Sequence, residues 1–173
     1  MSNRMFTRRD FTRATTALAV TLGAAAAARA ADPAQSNTSQ TRFEVMKTED
    51  EWKKILTREQ YEVLRKHGTE RAGTSPLDKT YAPGVYHCAG CDQPLFVSDT
   101  KFDSGTGWPS FFQPIDKAVG TTVDRSFFMT RTEVHCSRCG GHLGHVFEDG
   151  PQPTGLRYCM NGVAMKFVPK AGS

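Results

Sequence analysis

Two C-x2-C pairs, Cys88-Ala-Gly-Cys91 and Cys136-Ser-Arg-Cys139, with 44 residues between them, set the strongest limit on what this chain can fold into. Two residues between cysteines let both sulfurs of one tight turn converge on a tetrahedral ion at about 2.3 Å. Two such turns make a four-thiolate site, closed and therefore structural, and one Zn2+ per chain is the ion expected. Any fold must then carry residue 88 to residue 136. A pair of disulfides is the alternative, which matters in an exported protein. Neighbouring C-x2-C disulfides are usually redox-active, however, and no thioredoxin-like βαβ pattern accompanies these. His87 and His135 flank the turns and read as bystanders, because four thiolates already complete the ion.

Subtracting four cysteines from five leaves Cys159, which has no partner in any spacing pattern. An inert buried thiol is the plain reading. Its neighbours argue for chemistry. Arg157, two residues before, would favour a thiolate electrostatically, and Asn161, two residues after, would share its face on a strand. His142 and His145 lie just upstream, flanked by Gly141 and Gly144, where a compliant backbone can bring imidazoles to a pocket.

The chain has 173 residues and a net charge of +4, and that charge is local: residues 1–30 hold five Arg against one Asp, leaving 17 basic and 17 acidic residues in 31–173. The folded part therefore offers no net electrostatic footprint for nucleic acid or an anionic membrane. The first thirty residues read as a secretory signal. An Arg-rich start precedes an uncharged, Ala-rich run over 14–28, and Ala28-Arg29-Ala30 supplies a small-residue cleavage site. The run is too short to span a bilayer comfortably. Arg8-Arg9 followed by Phe11 resembles a twin-arginine signal, whose carrier exports folded proteins, so a periplasmic location with cleavage after Ala30 is expected. An uncleaved tail would leave the Ala28/Ala30 pattern unexplained. Residues 31–42 are polar and aperiodic, a flexible linker, and the domain is expected over 43–170.

Thr48 with Glu51, and Thr57 with Gln60, are capping-box patterns opening two short helices, the second stopped by Gly68. From Tyr81 onward Gly and Pro recur every few residues, with short Val-, Phe-, Tyr- and Thr-rich segments between. Strands are expected over 85–88, 94–97, 119–123, 126–134, 145–148, 156–160 and 163–168. The fold class is mainly β: two curled antiparallel sheets behind a short N-terminal helical segment, with a four-cysteine zinc site.

These residues, taken in order, match a known pattern. Gly68-Thr69-Glu70, both cysteine pairs, Ser104-Gly105-Thr106-Gly107-Trp108-Pro109-Ser110-Phe111, Arg131-Thr132-Glu133-Val134, Gly141 to Phe147, Asp149-Gly150-Pro151 and Arg157-Tyr158-Cys159-Met160-Asn161 resemble the B-type methionine sulfoxide reductases over about residues 48 to 168. The resemblance implies reduction of methionine-R-sulfoxide, free or in oxidised proteins and peptides. It implies Cys159 as nucleophile, His145 assisted by His142 as proton donor, Asn161 ordering the polar side of the pocket, and Trp108 holding the substrate methyl. Arg157 and Phe147 are further substrate-binding candidates, and Phe111 another possible wall. Many family members carry a resolving cysteine where this chain has Thr106. With the four paired thiols on zinc, regeneration of Cys159 falls to a small thiol or a thioredoxin-like donor.

Two other classes remain open. A non-catalytic zinc-ribbon or β-sheet module binding a peptide or ligand would explain the cysteine pairs, but not the company Cys159 keeps. A thiol oxidoreductase using the C-x2-C pairs would need those thiols free of metal. A monomer is expected, since no long apolar surface helix is evident.

Overall fold

Local rules set the two helices. In the computed structural model, which describes residues 43–126 and 129–172, α1 (Glu49–Ile55) starts at Thr48, whose hydroxyl accepts the Glu51 N–H while the Glu51 carboxylate takes the Thr48 N–H at 2.7 Å. Helix α2 (Arg58–Lys66) repeats the device with Thr57 and Gln60. Each cap satisfies donors that the first turn cannot, worth about 1 kcal/mol. At the far end His67, rather than Gly68, takes the left-handed conformation (φ 56), and the Gly68 N–H closes back on the Glu62 carbonyl at 2.9 Å. The expected signal over 1–30 and linker over 31–42 lie outside the described residues.

Among the described residues nine strands follow: β1 (Gly84–Cys88), β2 (Pro94–Val97), β3 (Lys101–Phe102), β4 (Ser110–Phe111), β5 (Val119–Asp124), β6 (Arg131–Cys136), β7 (His142–Phe147), β8 (Arg157–Met160) and β9 (Met165–Pro169). They form a three-stranded sheet, β2-β1-β9, and a six-stranded sheet, β3-β4-β8-β7-β6-β5, with every pairing antiparallel. The architecture is mainly β with two antiparallel sheets, as expected. Boundaries moved where pairing overrides local pattern. Strand β6 starts at Arg131 rather than at 126 and runs on to Cys136, and β7 starts at His142 rather than 145 because His142 pairs with His135. Residues 162–164 form a 3-10 turn, so the last strand starts at Met165.

The core lies where the two sheets and α2 meet. Phe96 of β2 stacks on Phe111 of β4 at 4.3 Å between ring centroids, and Tyr86 of β1 meets the same ring edge-on at 4.9 Å. Leu64 of α2, Leu143 of β7 and Met160 of β8 are buried with them. Burying each such side chain contributes about 1.5–3 kcal/mol. Phe111 is thus a core residue and not a pocket wall. Among the described residues, no helix is long and apolar enough to cross a membrane.

Candidate active site

The two cysteine turns are copies of one local structure. Cys88 ends β1 and Cys136 ends β6. In the first, the Asp92 N–H donates to the Cys88 carbonyl and the Cys88 N–H to Gln93, at 2.9 and 2.8 Å; in the second, the Gly140 N–H donates to Cys136 and the Cys136 N–H to Gly141, both at 2.9 Å. Asp92 (φ 64) and Gly140 (φ 68) both take the left-handed conformation that turns the chain away from the sulfurs. The four Sγ atoms lie within 4.8 Å of one another, with 3.8 Å between Cys88 and Cys139 and 3.5 Å between Cys91 and Cys136. Sulfurs about 2.3 Å from a tetrahedral ion stand about 3.8 Å apart, whereas a disulfide needs about 2.05 Å. All five cysteines are free, so the spacing fits a metal and excludes the disulfide alternative. Neither His87 nor His135 belongs to the cluster.

Around Cys159, a cavity of about 130 Å³ is lined by Thr69, Trp108, Arg131, Gly144, His145, Phe147, Cys159 and Asn161. Strand register explains the company. His145 of β7 pairs directly with Cys159 of β8, and Ser110 of β4 pairs with Cys159 from the other side. The β7–β8 approach is close at Gly144, where a Cβ would collide with the Cys159 carbonyl. Beside the thiol stands a chain of hydroxyls: Thr106 Oγ1 is 3.9 Å from Cys159 Sγ, and Ser104 bonds both Thr106 and Ser110 at 2.8 Å. Burial pushes the Cys159 thiol above its ordinary value, against the pull of the Thr106 hydroxyl and the Arg157 charge. The resting group is a thiol.

Two carboxylates that the sequence reading did not single out frame the histidines. Asp124, the last residue of β5, accepts from Arg131 at 2.7 Å and from His145 Nε2 at 2.9 Å. Hydrogen bonds from Ser126, and then from His145, hold this carboxyl well below its usual range. Burial pulls the His145 imidazole below its ordinary value, and the bond to Asp124 partly restores it. His142 is buried behind His145, with 5.4 Å between ring centroids, and donates Nδ1–H to Glu133 at 2.7 Å.

Glu70 is the third unforeseen group. Its carbonyl accepts the Trp108 indole N–H at 3.2 Å, and its own N–H donates to Asn161 Oδ1 at 2.9 Å. Its carboxylate takes the N–H groups of Gly162 and Val163 at 2.6 and 3.0 Å. Asn161 Nδ2 donates to the Leu143 carbonyl at 3.0 Å, so that amide is fixed at both ends.

The structure therefore gathers Cys159, His145, Asn161, Trp108 and Phe147 around one cavity and sets His142 behind it. Arg157 stands outside the lining: its guanidinium grips Asp149 twice at 2.8 Å and lies 4.5 Å over the Phe147 ring. Arg157 still draws Cys159 toward the thiolate, but burial outweighs it. A signal for Glu133 existed in its alternation with Arg131, which puts both on one face of β6.

Comparison with known proteins agrees with this geometry. The SelR domain model matches residues 56–169. A peptide methionine sulfoxide reductase MsrB of Agrobacterium fabrum is 56% identical over 126 residues, 72% of this chain and 93% of its own length. An MsrB of Methanosarcina barkeri is 60% identical over 124 residues, 71% of this chain and 87% of its own. Another, of Pseudomonas syringae, is 54% identical over 128 residues, 73% of this chain and 98% of its own. A solved structure, the Mis18 'Yippee-like' domain, aligns with a TM-score of 0.43 and 19% identity over 52% of this chain and 99% of its own, a likeness too slight to bear on the argument. With a family model spanning most of the chain and relatives this similar over nearly their whole length, the chain belongs to the SelR family, that of the methionine sulfoxide reductases named MsrB.

Proposed function

We propose that this protein reduces methionine-R-sulfoxide, free or within oxidised proteins and peptides, with Cys159 as its nucleophile. The observation that carries the reading is the meeting of a thiol, an imidazole, a fixed amide and an indole around one small cavity. Cys159 passes its proton to His145, and the thiolate attacks the sulfoxide sulfur. A protonated His145 keeps one N–H on Asp124 and offers the other to the sulfoxide oxygen. The S–O bond breaks, the hydroxyl passes to Cys159 Sγ, and methionine leaves behind a sulfenic acid. Methionine sulfur gains two electrons and Cys159 loses two. His142, held by Glu133, supports the His145 ring; Asn161 orders the polar wall; Trp108 and Phe147 receive the methyl and side chain of the substrate.

Thr106 occupies the place beside Cys159 from which a resolving thiol would act, and the other four cysteines belong to the metal cluster. An external thiol therefore attacks the sulfenic acid, releasing water, and a second thiol, or the partner thiol of a thioredoxin-like donor, frees Cys159. Zn2+ on Cys88, Cys91, Cys136 and Cys139 is a structural cross-link. The enzyme acts in the periplasm, a reading that rests on the twin-arginine pattern at Arg8-Arg9 and the Ala28-Arg29-Ala30 site, and as a monomer, a reading that rests on the lack of a long apolar surface helix in the sequence. Folding before export would load the metal before an oxidising compartment could pair the thiols.

The test is an assay of the purified protein on both sulfoxide epimers with a dithiol reductant, beside its metal content and the Cys159→Ser variant. Turnover of the R epimer, lost in that variant with fold and metal retained, is expected. Turnover of the S epimer alone, or an active metal-free protein, overturns the reading. An indifferent Cys159→Ser variant would favour the binding-module alternative.

A further inference from the structure

Beyond the thiolate cluster and the cavity, one more group of donors converges. His67, left-handed at the end of α2, turns its ring onto Glu133 in the middle of β6, with 2.9 Å from Nδ1 to Oε1. His142, the first residue of β7, brings its own Nδ1 to the same carboxylate oxygen at 2.7 Å. The three donor atoms all lie within 4.8 Å of one another. Their side chains grade from open to sealed: His67 is 64% exposed, Glu133 12% and His142 3%. His142 Nε2 is buried with no hydrogen-bond partner among the described residues, so Glu133 is the only polar group fixing that ring.

Two imidazoles and a carboxylate are a donor set suited to zinc and its neighbours, and softer thiolate chemistry is not needed to hold them. We propose that His67, Glu133 and His142 form a second metal site, for an exchangeable divalent transition ion such as Zn2+. Donors about 2.0–2.1 Å from a tetrahedral ion stand about 3.4 Å apart, so an ion replacing the two shared protons widens the present contacts by roughly half an ångström. His67 can supply that movement, because its side chain is mostly exposed and hangs from a helix end rather than a strand. Glu133 and His142 sit on adjacent paired strands, so their 2.7 Å contact widens by rotation of the Glu133 side chain while the backbone stays in place. The open side at His67 leaves room for water as a further ligand, which makes the site exchangeable where the four-thiolate cluster is closed.

One consequence rests on the catalytic reading above. An ion on His142 places positive charge on a ring whose centroid is 5.4 Å from that of His145. Taking up the ion also replaces the Glu133 bond that holds this supporting ring, so the ion acts as a reversible inhibitor.

The site and its consequence are tested separately. Full-length protein with the thiolate cluster filled by zinc is titrated with Co2+, followed by visible absorption. One further equivalent is expected, giving ligand-field bands without a thiolate charge-transfer band, and lost in both His67→Ala and Glu133→Gln while zinc content stays. Failure to bind a further equivalent, undiminished binding in those variants, or thiolate charge transfer would overturn the site. In the assay, added Zn2+ should slow the natural protein, a chelator of free ion should restore it, and His67→Ala should resist inhibition relative to its own rate without added Zn2+. Equal inhibition of His67→Ala overturns the inhibitory role. A protein with no reductase activity that still binds the cobalt refutes the catalytic reading alone.

Discussion

The hydroxyl of Thr106 lies 3.9 Å from the Cys159 sulfur, at the end of a Ser110–Ser104–Thr106 hydroxyl chain. A thiol there could reach Cys159 by a small side-chain rotation, since bonded sulfurs stand about 2.05 Å apart. Thr106→Cys should therefore turn a sulfenic-acid enzyme into a disulfide-forming one. After a single turnover without reductant, the natural protein should react with a sulfenic-acid probe. The variant should not, and should lose two free thiols by titration. Strong probe labelling of the variant would count against position 106 as a resolving site, and an unlabelled natural protein would count against the one-cysteine mechanism.

The pH dependence of kcat/KM follows from opposed shifts. Burial lowers His145 below its ordinary value of 6.5 and raises Cys159 above its ordinary 9.0. The reactive form needs the thiolate and the imidazolium together, the minority arrangement between those two values. Raising pH there gains thiolate as fast as it loses imidazolium, so the rate is flat. Below the His145 value only thiolate is being lost, and above the Cys159 value only imidazolium. A plateau is thus expected, with an acid limb below pH 6.5 and a basic limb above pH 9. A single sharp optimum near pH 8 would contradict it.

Asp124→Asn tests the hold on His145. The Asp124 bond raises the His145 value, so its loss lowers that value further and moves the acid limb to lower pH. General acid catalysis is worth about 10²–10⁴-fold, which sets the expected loss in kcat for His145→Ala. Asp124→Asn should lose less, about 10-fold, because the proton donor remains. An unshifted limb would show that Asp124 does not act through His145.

Removing the metal should cost the fold rather than the chemistry. Structural zinc contributes about 10–16 kcal/mol in zinc-finger peptides, against about 5–15 kcal/mol for the whole stability of a domain. Cys136→Ser, or a strong chelator, should abolish the cooperative thermal transition seen by circular dichroism, in step with measured zinc loss. A metal-free protein melting like the natural one would remove the structural role.

Much of this was legible in the residues, and the reasons for the rest are physical. The capping pairs Thr48/Glu51 and Thr57/Gln60 and the two cysteine turns are short-range devices, complete within a few residues, and they read directly. Strands β3 and β4, two residues each, exist only through their pairing with each other and with β8, which no local pattern announces. Asp124, Glu133 and Glu70 look like ordinary solvated carboxylates in the sequence. Period-two alternation places Arg131 and Glu133 on one face of β6, yet it cannot say that His142 of β7 and His67 at the end of α2 will meet Glu133. The place of Arg157 was hidden for the same reason, since its partner Asp149 becomes its neighbour only in the fold.

Asp124 closes β5, and β5 is one of the two edge strands of the six-stranded sheet. An edge strand is stitched along one side only, and strand ends open at free energies far below that of global unfolding. The imidazole at the centre of the site is thus steered from an edge of the sheet. On warming, catalysis should fade while the buried aromatic stack of Phe96 and Phe111 is still intact, so this enzyme's working range ends before its melting point.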